Sequence, residues 1–142
     1  MQTVKEILQT KSYGLLSIAS EATVLDALKM MADHEVGALV VLDGERLAGI
    51  FSERDYARKV ILHGKASKDT LVSEIMTHKV VCVRPEQSVE ECMALMTDKR
   101  IRHLPVLQDK KVIGVISIGD VVKAVISEQR FVIDQLEHYI HS

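Results

Sequence analysis

The chain has 142 residues, of which 47% are hydrophobic and 4% aromatic, and its formal net charge is −2. This length fits one domain, or two small units that share an aliphatic core. Because there is no broad basic block, we expect neither nucleic acid nor an acidic membrane as the main partner. No apolar run is long enough to span a membrane, and residues 1–6 lack a signal-peptide pattern, so we expect a cytoplasmic protein.

The first half of the chain alternates helical and extended patterns. Thr23 followed by Asp26 is a typical helix start, and apolar residues then recur along one helical face. Two apolar runs around the turn at residues 43–45 predict a β-hairpin. The predicted elements are a helix at 4–8, a strand at 15–18, a helix from 23 that buries Val24, Ala27, Leu28 and Met31, a hairpin of 36–42 with 47–51, and a helix from 52 to 62.

The second half repeats this order after a polar linker at residues 63–69. The predicted elements are a helix at 72–76, a strand at 80–83, a helix from 88 that buries Val89, Cys92, Met93 and Met96, a hairpin of 104–107 with 112–116, and a helix from 120 to 139. An apolar stripe on the last helix is expected either to cover the core or to contact a partner chain. It consists of Val132, Leu136, Tyr139 and Ile140.

A motif of the form Gly-x-x-Ser-x-x-Asp closes each hairpin, at residues 49–55 and again at 114–120. A shift of 65 residues also aligns many other positions, so the chain is an internal repeat with units at 1–66 and 67–142. In each copy a helix is expected to start at the Ser, where free backbone N–H groups favour an anion. Ser-x-x-Asp is also close to a capping box, which only starts a helix.

These features together resemble the CBS domain, named for cystathionine β-synthase. The resemblance rests on the Thr/Ser-x-x-acidic helix starts, on Arg-His-Leu-Pro-Val at residues 102–106, and on the repeated motif, and it covers nearly the whole chain. Two such domains in tandem form a Bateman module, and residues 49–56 are similar to those of small stand-alone bacterial members. The implied fold class is α/β, with two small sheets and flanking helices related by a pseudo-twofold axis.

The resemblance further implies clefts between the repeats that hold an adenosine compound: AMP, ADP, ATP, NAD or S-adenosylmethionine. In the family pattern the last Asp of the motif binds ribose hydroxyls, and the motif's Ser reaches phosphate. The residues implied are Asp55 and Asp120 for ribose, Ser52 and Ser117 for phosphate, Ile18, Val83, Ile50 and Val115 for adenine, and Thr23 and Ser88 along the cleft wall.

Candidate cations for the phosphates differ between the two halves. Arg54 and Arg58 follow the first Ser, whereas the second half offers His103, at a position where many family members carry an Arg, with Arg102 beside it. The first-half positions that match His103 and Arg102 carry no charge, so we expect unequal clefts. Two alternatives remain open: Arg54 and Arg58 are solvated helix residues, and His103 has a structural role.

The leading hypothesis is a non-catalytic adenine-nucleotide sensor that forms a homodimer through stacked CBS pairs. The alternative is a scaffold or dimerisation module with degenerate, ligand-free clefts. An enzyme is not expected, because the chain shows no nucleophile set, metal-ligand spacing, Walker loop or Rossmann fingerprint. We therefore predict no catalytic residue, metal site or catalytic cofactor. Cys82 and Cys92 are interpreted as small apolar residues in a reducing compartment.

Overall fold

The computed structural model describes residues 2–11 and 14–141, and each half of the chain forms a similar series of helices and strands. The first series is α1 (Val4–Thr10), β1 (Ser17–Ala19), α2 (Val24–His34), β2 (Ala38–Asp43), β3 (Arg46–Ser52) and α3 (Glu53–Asp55), which continues as a π-helical turn (Tyr56–Ile61). The second series is α4 (Val72–Ile75), α5 (Val89–Lys99), β4 (His103–Gln108), β5 (Lys111–Ser117) and α6 (Ile118–His141). The predicted fold class is confirmed.

The helices α2 and α5 begin where their capping residues predict. Thr23 accepts a hydrogen bond from the Asp26 N–H at 3.1 Å, and Ser88 accepts one from the Glu91 N–H at 3.1 Å. One predicted core position on α5 is wrong, since Met93 is 39% exposed while the rest of the predicted face is buried. The equivalent position in the first half, Leu28, is also only partly buried, so this position lies at the edge of the buried face in both helices.

The two sheets differ in size. In the first half, β2 pairs with β1 in parallel and with β3 antiparallel, whereas in the second half only β4 and β5 form a sheet. The predicted strand at 80–83 is therefore wrong, and only Val83 makes an isolated parallel bridge, to Val106. The residue that corresponds to Val40 of β2 is Pro105, which has no N–H with which to extend the ladder.

The short helices α1 and α4 each pack into the core of the opposite half. Val4 and Ile7 of α1 belong to the second hydrophobic core, with Leu104 and Ile116, while Val72 and Ile75 of α4 belong to the first. Backbone hydrogen bonds fasten both helices in place, such as the 2.9 Å bond from the Val4 N–H to the Gln87 carbonyl. Each core therefore needs residues from both repeats, and neither repeat can fold to this arrangement alone.

The last helix extends well beyond the two cores. Only Val121 and Ala124 of α6 are buried, and from residue 129 to residue 141 the helix is exposed. The apolar stripe predicted on this helix does not cover the core; Tyr139, for example, is 81% exposed. Within the described residues, no helix is both long and apolar enough to cross a membrane.

Candidate functional site

A cavity of about 320 Å³ lies between the two halves of the molecule. It is bounded by the end of α1, by the chain leading into β1 and β2, and by the β5–α6 junction. Its walls contain both apolar and ionisable side chains. The lining residues are Leu8, Lys11, Gly14, Leu16, Glu35, Val36, Gly37, Ala38, His103, Ile113, Gly114, Val115, Ser117 and Asp120.

The second copy of the repeated motif builds one wall of this cavity. At the β5–α6 junction the Ser117 N–H donates to Asp120 Oδ2 at 2.8 Å, and the Asp120 N–H donates to Ser117 Oγ at 3.2 Å. This reciprocal pair is a capping box, so the motif does start a helix, as the capping interpretation predicts. It also fixes the carboxylate and the hydroxyl beside the N-terminus of a 24-residue helix, where an anion is favoured.

Lys11 enters the same site from the end of α1. Its Nζ lies 2.8 Å from Asp120 Oδ2 and donates to the Val115 carbonyl at 2.6 Å. The Lys11 side chain is only 13% exposed. Sequence reasoning missed this residue, because its partners lie more than a hundred positions away and become neighbours only through the exchange of α1. A charged residue just past the end of a helix that packs on the other half is the signal that could have found it.

His103 lies at the same cavity, at the start of β4. Burial lowers the pKa of His103, the nearby charge of Lys11 lowers it further, and Arg102 adds to this while Asp120 opposes it. The imidazole is therefore neutral at pH 7. Gly37 faces it, since a Cβ atom there would lie 3.4 Å from His103 Nε2 and 2.8 Å from Glu53 Oε1. A larger residue at position 37 would push into both side chains.

The equivalent Asp of the first motif sits in a closed environment. Asp55 Oδ2 accepts from the Ser52 N–H at 3.0 Å, while Oδ1 accepts from Thr77 Oγ1 and Lys59 Nζ, each at 3.1 Å. Ile50 and Thr77 also exchange two backbone hydrogen bonds, of 3.0 and 2.9 Å. The Asp55 side chain is 10% exposed, against 26% for Asp120. The two motifs therefore present unequal sites, and the second is the more open.

The structure places the other predicted site residues outside the 320 Å³ cavity. Arg54 is exposed and donates to the Arg100 carbonyl at 3.1 Å, and Arg58 and Arg102 are exposed as well. Thr23 and Ser88 serve as helix caps. Ser88 bridges to Thr3 at the start of α1, whereas Lys11 and Asp120 meet past its end. Ile18 and Val83 are buried in the two cores.

Among residues 2–11 and 14–141, no cluster of three or more His, Cys, Asp or Glu side chains is arranged to bind a metal ion. Burial, with a smaller effect from Glu91, raises the pKa of Cys92 to about 11, and burial also raises the pKa of Cys82. Both thiols are therefore protonated at neutral pH, which is the opposite of the low pKa expected of a nucleophilic cysteine.

Comparison with known proteins agrees with the repeated architecture. A sequence profile of the CBS domain matches residues 4–62 and 72–127. The chain is 46% identical over 147 residues to the CBS domain-containing protein CBSX3, mitochondrial, of Arabidopsis thaliana, covering 97% of this chain and 71% of that protein.

Solved structures show the same fold. A protein with CBS domains from Burkholderia ambifaria MC40-6, provisionally named a signal-transduction protein, superposes with a TM-score of 0.86 and 53% identity over 90% of this chain and 96% of that one. A hexameric CBS-CP12 protein from bloom-forming cyanobacteria superposes with a TM-score of 0.76 and 34% identity, over 85% and 70% of the two chains.

Proposed function

The chain belongs to the CBS-domain family, and from this premise we propose that it is a non-catalytic sensor that binds an adenine nucleotide between its two repeats. Tandem CBS domains are regulatory modules that often bind nucleotides. The observation that carries the proposal is the 320 Å³ cavity in which Ser117 and Asp120 converge at the start of α6. This volume lies in the range of typical small-molecule sites.

The proposed binding mode assigns one part of the ligand to each wall. The Asp120 carboxylate accepts hydrogen bonds from the ribose hydroxyls, and bonds to an ionised acceptor are strong. Ser117 and the first N–H groups of α6 face the phosphate. Val115, Leu16 and Val36 supply aliphatic surface for the adenine ring, in a chain that is only 4% aromatic. The ligand class is AMP, ADP, ATP or NAD.

The proposed output is a change in the contact between two copies of the chain. The exposed apolar stripe on α6 gives such a contact a surface, because exposed contiguous apolar patches mark interaction sites. The hexameric cyanobacterial relative supports association as a property that CBS proteins can have. We propose a homodimer in a reducing compartment such as the cytoplasm, in agreement with the two free thiols. The Arabidopsis relative is named a mitochondrial protein.

A thermal-shift screen with AMP, ADP, ATP, NAD, S-adenosylmethionine and GTP tests this function. A ligand at 100 times its Kd adds about 2.7 kcal/mol to the stability of the folded state. For a domain of this size that is roughly 10 °C in Tm. We expect such a shift with adenosine compounds in the wild type and its loss in Asp120→Asn, because removing the charge from a hydrogen-bonded contact in a complex costs about 2–5 kcal/mol.

Asp98→Asn provides the matched control, since it removes the same charge from an exposed position on α5. This variant should shift as the wild type does. If no adenosine compound shifts the wild type, the sensor is excluded, and the scaffold or dimerisation module with degenerate clefts becomes the better account. If Asp120→Asn shifts normally, the ligand binds elsewhere on the molecule.

A further inference from the structure

We propose that Lys11 makes the cleft selective for nucleoside 5′-phosphates over unphosphorylated nucleosides. The inference deepens the proposed function and rests on it. The ribose of a ligand would share the Asp120 carboxylate with Lys11, and the phosphate of a nucleotide would give the ammonium a second anionic partner.

The first observation is that Lys11 carries a full positive charge on the cavity wall. Among the described residues that line the cavity, Lys11 is the one Lys or Arg. His103 is neutral at pH 7, because burial and the Lys11 charge lower its pKa. Arg54, Arg58 and Arg102 are exposed and do not line this cavity. A phosphate in this cavity therefore has Lys11 as its cationic partner.

The second observation is the competition for Asp120. Lys11 Nζ lies 2.8 Å from Asp120 Oδ2, and the Ser117 N–H already donates to the same oxygen at 2.8 Å. Ribose hydroxyls that bind the same carboxylate draw on the charge that holds the ammonium and therefore weaken the Lys11–Asp120 ion pair. Lys11 is 13% exposed, so little water is available to compensate the ammonium when its bond to Asp120 weakens.

The effect of Lys11 on binding affinity differs between a nucleoside and a nucleotide. A nucleoside weakens the Lys11–Asp120 ion pair and supplies no other anion, although the bond from Lys11 to the Val115 carbonyl remains, so the weakened ion pair opposes its binding. A nucleotide weakens the same ion pair but brings a phosphate, which accepts charge-assisted hydrogen bonds from the ammonium. Lys11 therefore penalises the first class of ligand and attracts the second.

Titration calorimetry of AMP and adenosine against the wild type, Lys11→Met and Lys11→Arg tests the inference. Met keeps most of the aliphatic stem and removes the charge, whereas Arg keeps the charge. We expect the wild type to prefer AMP by at least about 30-fold, which corresponds to one charged contact. Lys11→Met should bind AMP more weakly and adenosine no more weakly than the wild type, which brings the preference below about threefold. Lys11→Arg should retain most of the preference for AMP over adenosine.

Lys79 is the matched control. It holds the position equivalent to Lys11 after α4, is exposed, and does not line the cavity. Lys79→Met should preserve the full AMP preference. If Lys11→Met folds with a wild-type far-UV spectrum and keeps the preference, Lys11 is not the specificity residue, while AMP binding by the wild type still supports the sensor. If the wild type binds neither ligand, the proposed function fails and the inference fails with it. Lys11→Gln replaces Lys11→Met should the latter not fold.

Discussion

The glycine that opens each repeated motif lies where the opposite half comes closest, and substituting it should affect the two halves unequally. A Cβ atom at Gly49 would lie 2.7 Å from the Thr77 carbonyl oxygen and 2.7 Å from Met76 Sδ. A Cβ atom at Gly114 would lie 2.8 Å from Leu8 Cδ2, and its next contact is at 3.6 Å, also on Leu8. The first clash includes backbone, and the second involves only the end of a flexible side chain.

The loss of stability on each substitution depends on whether the atoms that the new Cβ would contact can move away. The Thr77 carbonyl and N–H are both hydrogen-bonded to Ile50, at 3.0 and 2.9 Å, so the backbone cannot retreat without breaking the bonds that close the first cleft. Overpacking of this kind costs about 1–3 kcal/mol, and we expect Gly49→Ala near the upper end. For Gly114→Ala, rotation of the Leu8 side chain relieves most of the clash. The smaller entropy of the unfolded Ala chain, worth roughly 0.4–1 kcal/mol, offsets part of what remains.

Urea unfolding followed by circular dichroism measures both variants against the wild type. We expect Gly49→Ala to lose about 2–3 kcal/mol. Its Tm should fall by roughly 8–12 °C. Gly114→Ala should lose less than about 1 kcal/mol. Equal losses, or a larger loss for Gly114→Ala, would show that the Thr77 backbone does not hold this position and that the contact between the halves is misassigned.

Two further predictions concern pH and association. Burial and the Lys11 charge lower the pKa of His103 below its ordinary value of 6.5. The unfolded chain therefore binds a proton at this residue more readily than the folded chain does, so the folded state loses stability as the pH falls below 6.5. Urea unfolding at pH 7.5 and pH 5.5 should show a smaller loss in His103→Gln than in the wild type, and an equal loss would refute the buried neutral imidazole. Leu136→Glu places a charge on the exposed apolar stripe and should shift the sedimentation coefficient from dimer towards monomer, whereas a wild type that stays monomeric at every concentration would refute the proposed homodimer.

The part of the fold that could be predicted from sequence is the part that depends on neighbouring residues. Caps such as Thr23 and Ser88 act on an N–H three positions away, and the hairpins follow from apolar runs around a turn. The strand at 80–83 failed because one residue in a different strand, Pro105, lacks the N–H that pairing requires. The exchange of α1 and α4 between cores could not be read locally, because both cores accept similar aliphatic side chains.

The same distinction between local and long-range relations applies to the candidate site. The motif residues Ser117 and Asp120 were predicted, since their relation is a local capping box. Lys11 was not, because its position depends on where a helix from the other end of the chain packs. Charge differences around His103 indicated unequal clefts, and the structure adds a separate reason, since Thr77 and Lys59 close around Asp55. Long-range packing decided which of two similar motifs remains open.

We propose above that an adenine nucleotide binds the cleft at the β5–α6 junction. A crystal structure of the chain grown with AMP tests it most directly. We expect both ribose hydroxyls within about 3 Å of the Asp120 carboxylate. The phosphate should lie beside Lys11 and Ser117, with Asp55 still bonded to Thr77. AMP bound at Asp55 instead, or on another surface with the Lys11–Asp120 pair unchanged, would contradict the account.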